Sequence, residues 1–280
     1  MLFGGEKVRI PAGAGAFYPG HPLQLKTAVE RFLVCTLEPV RAVAVIVPHA
    51  GYIYSGATAG KTYASVELPK KLVILCPNHT GYGEPFSLMA SGTWATPLGE
   101  VPVDGALAQA LLSAAPELAD DASAHRREHA VEVQLPFLQV MLGSFSFVPI
   151  ALATHDYPSL ESLGHSMARV LSASREPVAI VVSSDMNHYE DAGTNRAKDD
   201  VALEAVTRLA PKELHEAVLT RHITMCGFAP AVAALVAAKD LGADKSEVVD
   251  YTHSGMVTGD DDEVVSYAGV RIFHSNPALR

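Results

Sequence analysis

The sequence predicts an α/β fold, a single domain with a mostly parallel or mixed central sheet flanked by helices. Three short apolar runs predict buried strands, because continuous β-branched runs are typical of strands covered on both faces. The runs are Val43–Val47, Leu72–Cys76 and Val178–Val182. Segments with helical character alternate with them, and we find no internal repeat or linker, so we expect residues 1–280 to form one domain.

Local signals place the elements of the first half. Leu23–Leu33 has the spacing of an amphipathic helix, and the small residues of Gly56–Ser65 favour another. Phe86–Trp94 is expected to be a strand, and Asp104 is a suitable N-cap for a helix through Leu112. We expect Ala119–Glu128, which is polar, to be exposed.

The second half shows the same alternation. We expect strands at Phe145–Ile150, Ser246–Tyr251 and Val264–Phe273, and helices at Ser159–Ser172, Asp199–Leu209, Pro211–Leu219 and Phe228–Leu241. The acidic stretch Gly259–Asp262 between the last two strands invites a calcium interpretation. It lacks EF-hand spacing, so a solvated turn is the favoured interpretation.

Composition excludes several classes of function. A net charge of -10 with scattered Lys and Arg argues against nucleic acid or anionic membranes as main partners. No apolar run approaches the roughly 20 residues of a membrane span, and Met1–Pro11 lacks the apolar region of a signal peptide. Cys35, Cys76 and Cys226 are widely spaced with no CxxC, which indicates reduced thiols in a cytoplasmic protein.

Each of the three apolar runs is followed closely by a histidine. His49 and His79 come two and three residues after their runs, and His188 follows the third run through Ser183–Asn187. Strands of an open α/β sheet deliver such side chains into a ligand crevice. The pattern indicates a shared site, most simply a metal site, whereas the alternative is buried histidines bonded to the backbone.

Further candidates lie on the loops. Cys226 directly precedes a predicted helix, whose N-terminus would lower the thiol pKa and favour metal binding or redox chemistry. The alternative is a small buried hydrophobe. Asp185 and His188 could orient a ligand, transfer protons or bind metal. A hydrolase with Ser184 as nucleophile is disfavoured, because no Gly-x-Ser-x-Gly elbow is present.

His129 and Glu132 form a His-x-x-Glu pair. If this stretch is helical, both side chains share one face and could line the cleft, although an exposed helical pair explains the spacing equally well. His125 is expected in a solvated basic run. His155 and His253 are secondary candidates in loops.

Six stretches acquire a more specific meaning together. They are Pro11–Gly20, Val47–Gly56, Pro77–Gly81, Glu128–Phe137, Ser183–Tyr189 and Met225–Gly227. In this order they resemble the MEMO family (mediator of ErbB2-driven cell motility and its microbial relatives) over nearly the whole chain. Microbial members carry the label AmmeMemoRadiSam system protein B, which implies an association with a radical SAM protein and an AMMECR1-like protein.

The resemblance implies a fold similar to class III extradiol dioxygenases of the LigB type, which hold non-haem Fe(II) with two histidines and a carboxylate. By that likeness His49 and His79 match the histidine ligands, and Cys226 takes the place of the carboxylate. His188 matches the catalytic acid/base, with Asp185 close by. A thiolate favours softer metals, including copper, and argues against ring cleavage. The remaining candidate cleft positions are Tyr54, Asn78, His129 and Glu132.

These observations predict a metal-dependent redox protein or oxidoreductase of unknown substrate, with iron or copper at the site. The main alternative is a non-catalytic module whose cleft binds a peptide, a modified side chain or the radical SAM partner. A metal-dependent hydrolase is a third hypothesis. Animal members of the family are linked to iron or copper binding, redox activity and phosphotyrosine peptides, but their signalling role is not carried over to this chain.

Overall fold

The computed structural model describes residues 8–276. The strands are β1 Val8–Arg9, β2 Val40–Val47, β3 Val66–Glu67, β4 Lys71–Pro77, β5 Phe86–Leu88, β6 Thr93–Thr96, β7 Gly99–Pro102, β8 Ala119–Asp120, β9 Ser146–Leu152, β10 Val178–Ser183, β11 His188–Glu190, β12 Lys245–His253 and β13 Val264–Phe273. The helices are α1 Pro22–Phe32, α2 Tyr52–Ala64, α3 Gly105–Ala114, α4 Leu135–Leu142, α5 Tyr157–Ala173, α6 Ala192–Thr207, α7 Pro211–Thr220, α8 Phe228–Asp240 and α9 Gly255–Thr258. A 3-10 turn spans Glu132–Gln134.

The central sheet is mixed, as predicted. Its main path runs β11-β13-β2-β10-β4-β9-β5-β8, with β12 on β13 and β3 on β2. The middle strands β2, β10, β4 and β9 are parallel, whereas β13 and β5 run antiparallel to them on either side. The carboxyl ends of β2, β10 and β4 therefore meet at one edge of the sheet, where ligand sites of α/β proteins form.

Alternate residues of the middle strands face two separate apolar layers. In β2, Ala44 and Ile46 pack into the layer that includes α5 and α8, while Val45 and Val47 pack into the layer that includes α1 and α4. All four side chains are buried. Cover on both faces explains why the sequence shows a continuous apolar run instead of polar alternation.

Most predicted helices are present, with shifted ends. Asp104 caps α3 as expected, accepting the backbone N–H of Leu107 at 3.0 Å. Helix α2 starts at Tyr52, four residues before the predicted start, because Gly51 already serves as its N-cap. Helix α8 is buried on nearly all sides, which explains its uniformly small and apolar sequence.

Two expectations for the first half are wrong. Phe86–Trp94 is not one strand, because a turn at Gly92, with a φ of 104°, separates β5 from β6, and these strands lie in different sheets. Ala119–Glu128 is not exposed as a whole, since His125 and Glu128 are fully buried. A polar sequence does not reveal that buried partners satisfy these side chains.

None of the helices within residues 8–276 is long and apolar enough to cross a membrane. All three cysteines are free thiols, and Cys76 is buried in the sheet core. The stretch Met1–Pro11, considered above for a signal peptide, lies largely outside the described residues.

Candidate metal centre

Three histidine rings meet at the carboxyl edge of the sheet. His49 follows β2, His79 follows β4, and His129 lies just before the 3-10 turn. One ligand atom from each lies within 4.8 Å of the other two. The centroids of the His49 and His79 rings are 5.1 Å apart, and His129 stacks on His79 at 5.1 Å. The spacing of these nitrogens suits one metal ion.

Hydrogen bonds fix the protonation of His49. Ser183 Oγ donates its single proton to the carbonyl of Ala130 at 2.6 Å and also accepts the side-chain amide of Gln134. His49 Nδ1, 3.0 Å from the same hydroxyl, must therefore be a donor. This leaves Nε2 with a free lone pair. Burial, with a smaller contribution from His79, lowers the pKa of His49 to about 3, so the ring is neutral at pH 7.

His79 is held by Glu128, whose carboxylate accepts both its backbone N–H, at 2.6 Å, and its Nδ1–H, at 2.9 Å. Burial alone would raise the pKa of Glu128, but these bonds and the N–H of Ala130 outweigh it and lower the pKa to about 2. Burial opposes charge on His79 as well, yet Glu128 leaves the pKa of His79 raised. His79 therefore holds a proton more readily than His49 does.

The third histidine is fixed by packing. Phe17 stacks on the His129 ring with centroids 4.0 Å apart. Burial first, and His49 second, lower the pKa of His129 to about 4. His129 is thus neutral at pH 7, and one of its ring nitrogens lies within 4.8 Å of the ligand atoms of His49 and His79.

Cys226 approaches the same histidine from the start of α8. Its Sγ lies 3.3 Å from His49 Nε2, and it accepts the backbone N–H of Asp185 at 3.3 Å. A Cβ on Gly227 would lie 2.4 Å from Ser184 Cβ, so only glycine permits this close approach of α8 to β10. The expected lowering of the thiol pKa is wrong. Burial, with help from Asp185, raises the pKa of Cys226.

Asp185 and His188 complete the group of titratable side chains. Asp185 Oδ1 accepts the backbone N–H of His49 at 2.7 Å, and its Oδ2 lies 3.9 Å from His49 Nε2. His188 Nδ1 donates to the carbonyl of Thr224 at 2.9 Å, which leaves its Nε2 free to accept a proton. Burial lowers the pKa of His188, opposed by Asp185, and raises the pKa of Asp185.

Other predicted cleft positions have different neighbours. Asn78 Oδ1 accepts the N–H groups of Thr80 and Gly81, which forms the turn around His79. Tyr54 is partly buried in the first turn of α2. Glu132 is not in a helical pair with His129, because the 3-10 turn begins only at Glu132.

The other histidines considered in the sequence are His125, His155 and His253, and none of them belongs to the three-histidine group. His125 is expected in solvent, but its ring is fully buried and its Nε2 donates to the carbonyl of Ser87 at 3.2 Å. His253 lies 3.6 Å from Asp261 in the acidic turn, and His155 lies outside the three-histidine group.

Sequence reasoning missed the residues that orient the histidines. Ser183 was treated only as part of a loop motif, and neither Gln134 nor Thr224 was singled out. Glu128 appeared only within a family motif. The available signal for Glu128 is its position directly beside His129.

Comparison with known proteins assigns the family. A profile described as Memo-like protein matches residues 9–271. The chain belongs to the Memo family. A MEMO1 family protein of Aquifex aeolicus is 43% identical over 268 residues, covering 94% of this chain and 98% of the relative. A MEMO1 family protein of Methanopyrus kandleri is 38% identical over 276 residues, with the same coverage of both chains.

A solved structure shares this fold. An uncharacterized protein of Escherichia coli K12 superimposes with a TM-score of 0.54, covering 81% of this chain and 99% of that chain, at 14% identity. At this identity the likeness concerns the fold alone. It agrees with the mixed α/β architecture, and the site must be judged from its own residues.

Proposed function

We propose that this Memo family protein is a metal-dependent redox protein, with a transition metal ion held by His49, His79 and a third donor from His129 or Cys226. The observation that supports it most directly is the convergence of three imidazole nitrogens within 4.8 Å. Two of the rings have their Nδ1 atoms engaged by Ser183 and Glu128, the outer-shell arrangement that orients metal-binding histidines.

The donor set favours iron or copper over magnesium or calcium, because imidazole and thiol groups are softer than carboxylate and carbonyl oxygens. Such an ion would supply one-electron chemistry at this edge of the sheet. Cys226 would join the ligands only after losing its proton. Nε2 of His49, 3.3 Å from Sγ, accepts a hydrogen bond from that thiol in the metal-free protein.

The remaining residues have roles in proton transfer and positioning. His188, neutral and with Nε2 free, would accept a proton from a bound substrate. Asp185 positions both neighbours, because its Oδ1 accepts the backbone N–H of His49 and its own backbone N–H donates to Cys226 Sγ.

Metal content tests the proposal. Protein purified anaerobically without a histidine tag is analysed by ICP-MS, beside His49→Ala, His129→Ala and Cys226→Ser. We expect near-stoichiometric iron or copper in the wild type, lost in His49→Ala. Loss in only one of the other two variants identifies the third ligand. His165→Ala, at an exposed histidine on α5 that pairs with Asp240 and lies outside the three-histidine group, is the matched control.

A folded wild type that holds no metal and binds neither added iron nor added copper contradicts the proposal. The non-catalytic alternative, a cleft for a peptide or for a radical SAM or AMMECR1-like partner, would then be examined by pull-down. Stoichiometric zinc with turnover that needs no oxygen would favour the hydrolase instead.

A further inference from the structure

A second concave site lies on the α7–α8 side of Cys226. It encloses about 400 Å³, within the range of about 300–1,000 Å³ that is typical of small-molecule sites. We call it the α7–α8 pocket. Its lining includes Cys226, but none of His49, His79 or His129. The pocket is therefore a separate cavity from the three-histidine group. Cys226 connects the two, because it lines the pocket and also contacts His49.

The floor of the α7–α8 pocket is apolar. Val218, Ile223, Met225 and Phe228 line it, and each is at most 7% exposed. These side chains belong to the end of α7, the loop that follows it and the first turn of α8. An apolar floor favours a ligand with a hydrocarbon body, since burial of apolar surface is the main source of affinity there.

The rim carries two imidazoles. His155 and His222 both line the pocket and are exposed. His155 packs edge-on against Phe228, with ring centroids 5.1 Å apart. Within residues 8–276 neither ring makes a hydrogen bond, although the carbonyls of both residues accept one, from His215 and Lys198 respectively. Two unengaged N–H donors at the edge of an apolar floor suit a ligand with one polar acceptor group.

The local charge favours an anionic acceptor group. The pocket opens at the N-terminus of α8, a helix of 13 residues, and its lining includes Met225, Cys226 and Phe228 around that end. Lys198 lies beneath the rim, with Nζ 3.1 Å from the carbonyl of His222, but Glu190 neutralises it at 2.8 Å. The preference for an anion therefore rests on the positive end of α8 and on the two imidazole N–H groups. The nearby carboxylate of Asp156 is engaged as the cap of α5, accepting the N–H of Ser159.

We propose that the α7–α8 pocket binds a small organic acid, with its apolar body on the floor and its carboxylate at His155 and His222. Cys226 lines the pocket and also contacts His49. An acid bound in the pocket therefore touches a residue that is in contact with the three-histidine group. The pocket does not require a metal ion, so this inference stands or falls independently of the proposed redox function.

Hexanoate is the probe, and hexanamide is its neutral counterpart of nearly the same shape. Binding to metal-free protein is measured by isothermal titration calorimetry and by chemical-shift changes in NMR. We expect saturable hexanoate binding with a Kd of about 1 mM or below, and hexanamide binding at least about tenfold weaker. His155→Ala and His222→Ala should each weaken hexanoate binding by about tenfold. Both side chains are exposed, so these variants should fold.

Position is tested by the NMR titration. Saturating hexanoate should shift the backbone amide resonances of Met225, Cys226 and Phe228, which line the pocket, whereas that of Cys35 should not move. His165→Ala, at an exposed imidazole outside the pocket, should bind hexanoate like the wild type. The inference is wrong if hexanoate does not bind, if hexanamide binds equally well, or if both rim variants retain full affinity.

Discussion

At the scale of single residues, the chemistry of this site is set by what each histidine does with its Nδ1 atom. His49 and His188 donate from Nδ1 to oxygens that can only accept, so both rings carry an unprotonated Nε2. His79 donates to a carboxylate and is pulled toward the protonated form. The rings of His49, His79 and His188 are thus chemically different, although in the sequence each is simply a histidine that follows a strand.

Ser183→Ala tests this assignment. Without the hydroxyl, His49 Nδ1 and the amide of Gln134 lose their shared acceptor, so the ring is free to adopt the other tautomer. We expect metal affinity to fall about 10- to 100-fold, the usual effect of losing an outer-shell partner. Competition titration with a chelator measures the affinity, and ¹⁵N NMR of the imidazole reports the tautomer.

Ser166→Ala is the matched control for Ser183→Ala, because Ser166 is an equally buried serine on α5 whose hydroxyl accepts from Arg169. It should leave metal affinity unchanged. An unaltered affinity and tautomer in Ser183→Ala would show that the hydroxyl does not orient His49.

Residue-level prediction from the sequence succeeded for side chains that follow strands and failed for their partners. His49 and His79 were placed correctly at the sheet edge because a strand that ends must deliver its next residues there. Glu128 and Ser183 depend on contacts across 49 and 134 positions of the chain. No local pattern encodes such contacts.

At the scale of elements, the middle strands were predictable and the loop before His129 was not. The apolar runs of β2, β4 and β10 are long enough to exclude most alternatives. The stretch from β8 to the 3-10 turn carries Glu128 and His129, yet its polar sequence predicts an exposed loop. Its order comes from Asp121, whose Oδ1 accepts the N–H of Ser123 and whose Oδ2 accepts that of Glu84.

The pH dependence of stability should reveal the role of Asp121. Burial alone would raise its pKa, but the hydrogen bonds from Ser123, Glu84 and Ser87 lower it from 3.8 to about 2. A lowered folded-state pKa stabilises the protein above about pH 4, and this contribution is lost as the pH falls toward 2. Asp121→Asn should therefore lower the free energy of unfolding by about 1–2 kcal/mol at pH 6, since the site is partly open to solvent.

Denaturant unfolding of both proteins between pH 2 and pH 7 measures this difference. The difference in the free energy of unfolding between wild type and Asp121→Asn should shrink as the pH falls from about 4 toward 2. Asp200→Asn, at an exposed carboxylate that pairs with Arg196 on α6, should cost less than about 1 kcal/mol. A gap that does not change with pH would contradict the assignment.

At the scale of the whole molecule, one buried ion pair joins the N-terminal segment to the loop that carries His129. Arg9 on β1 pairs with Glu132, 123 positions away, and donates to the carbonyls of His125 and Glu128. Glu132 also accepts the hydroxyl of Tyr18. Residues near the N-terminus therefore hold the loop that carries His129. Glu132 is engaged in these contacts, so it contributes to the site only indirectly.

Glu132→Gln should be strongly destabilising. The substitution leaves the Arg9 guanidinium buried without a counter-charge, which typically costs 3–5 kcal/mol. For a chain of this size we expect the Tm to fall by about 10 °C, measured by calorimetry. The exposed pair between Arg208 and Glu213 supplies the control, because Glu213→Gln should change the Tm by no more than about 2 °C.

Replacing both partners separates this ion pair from an ordinary buried one. In other proteins, apolar substitution of both charges often restores stability. Here Arg9→Met with Glu132→Leu should remain unstable, because the N–H groups of Ala12 and Gly13 and the hydroxyl of Tyr18 would lose their acceptor. Full recovery of the Tm in the double variant would show that Glu132 serves only to neutralise Arg9, and that these three donors find other partners.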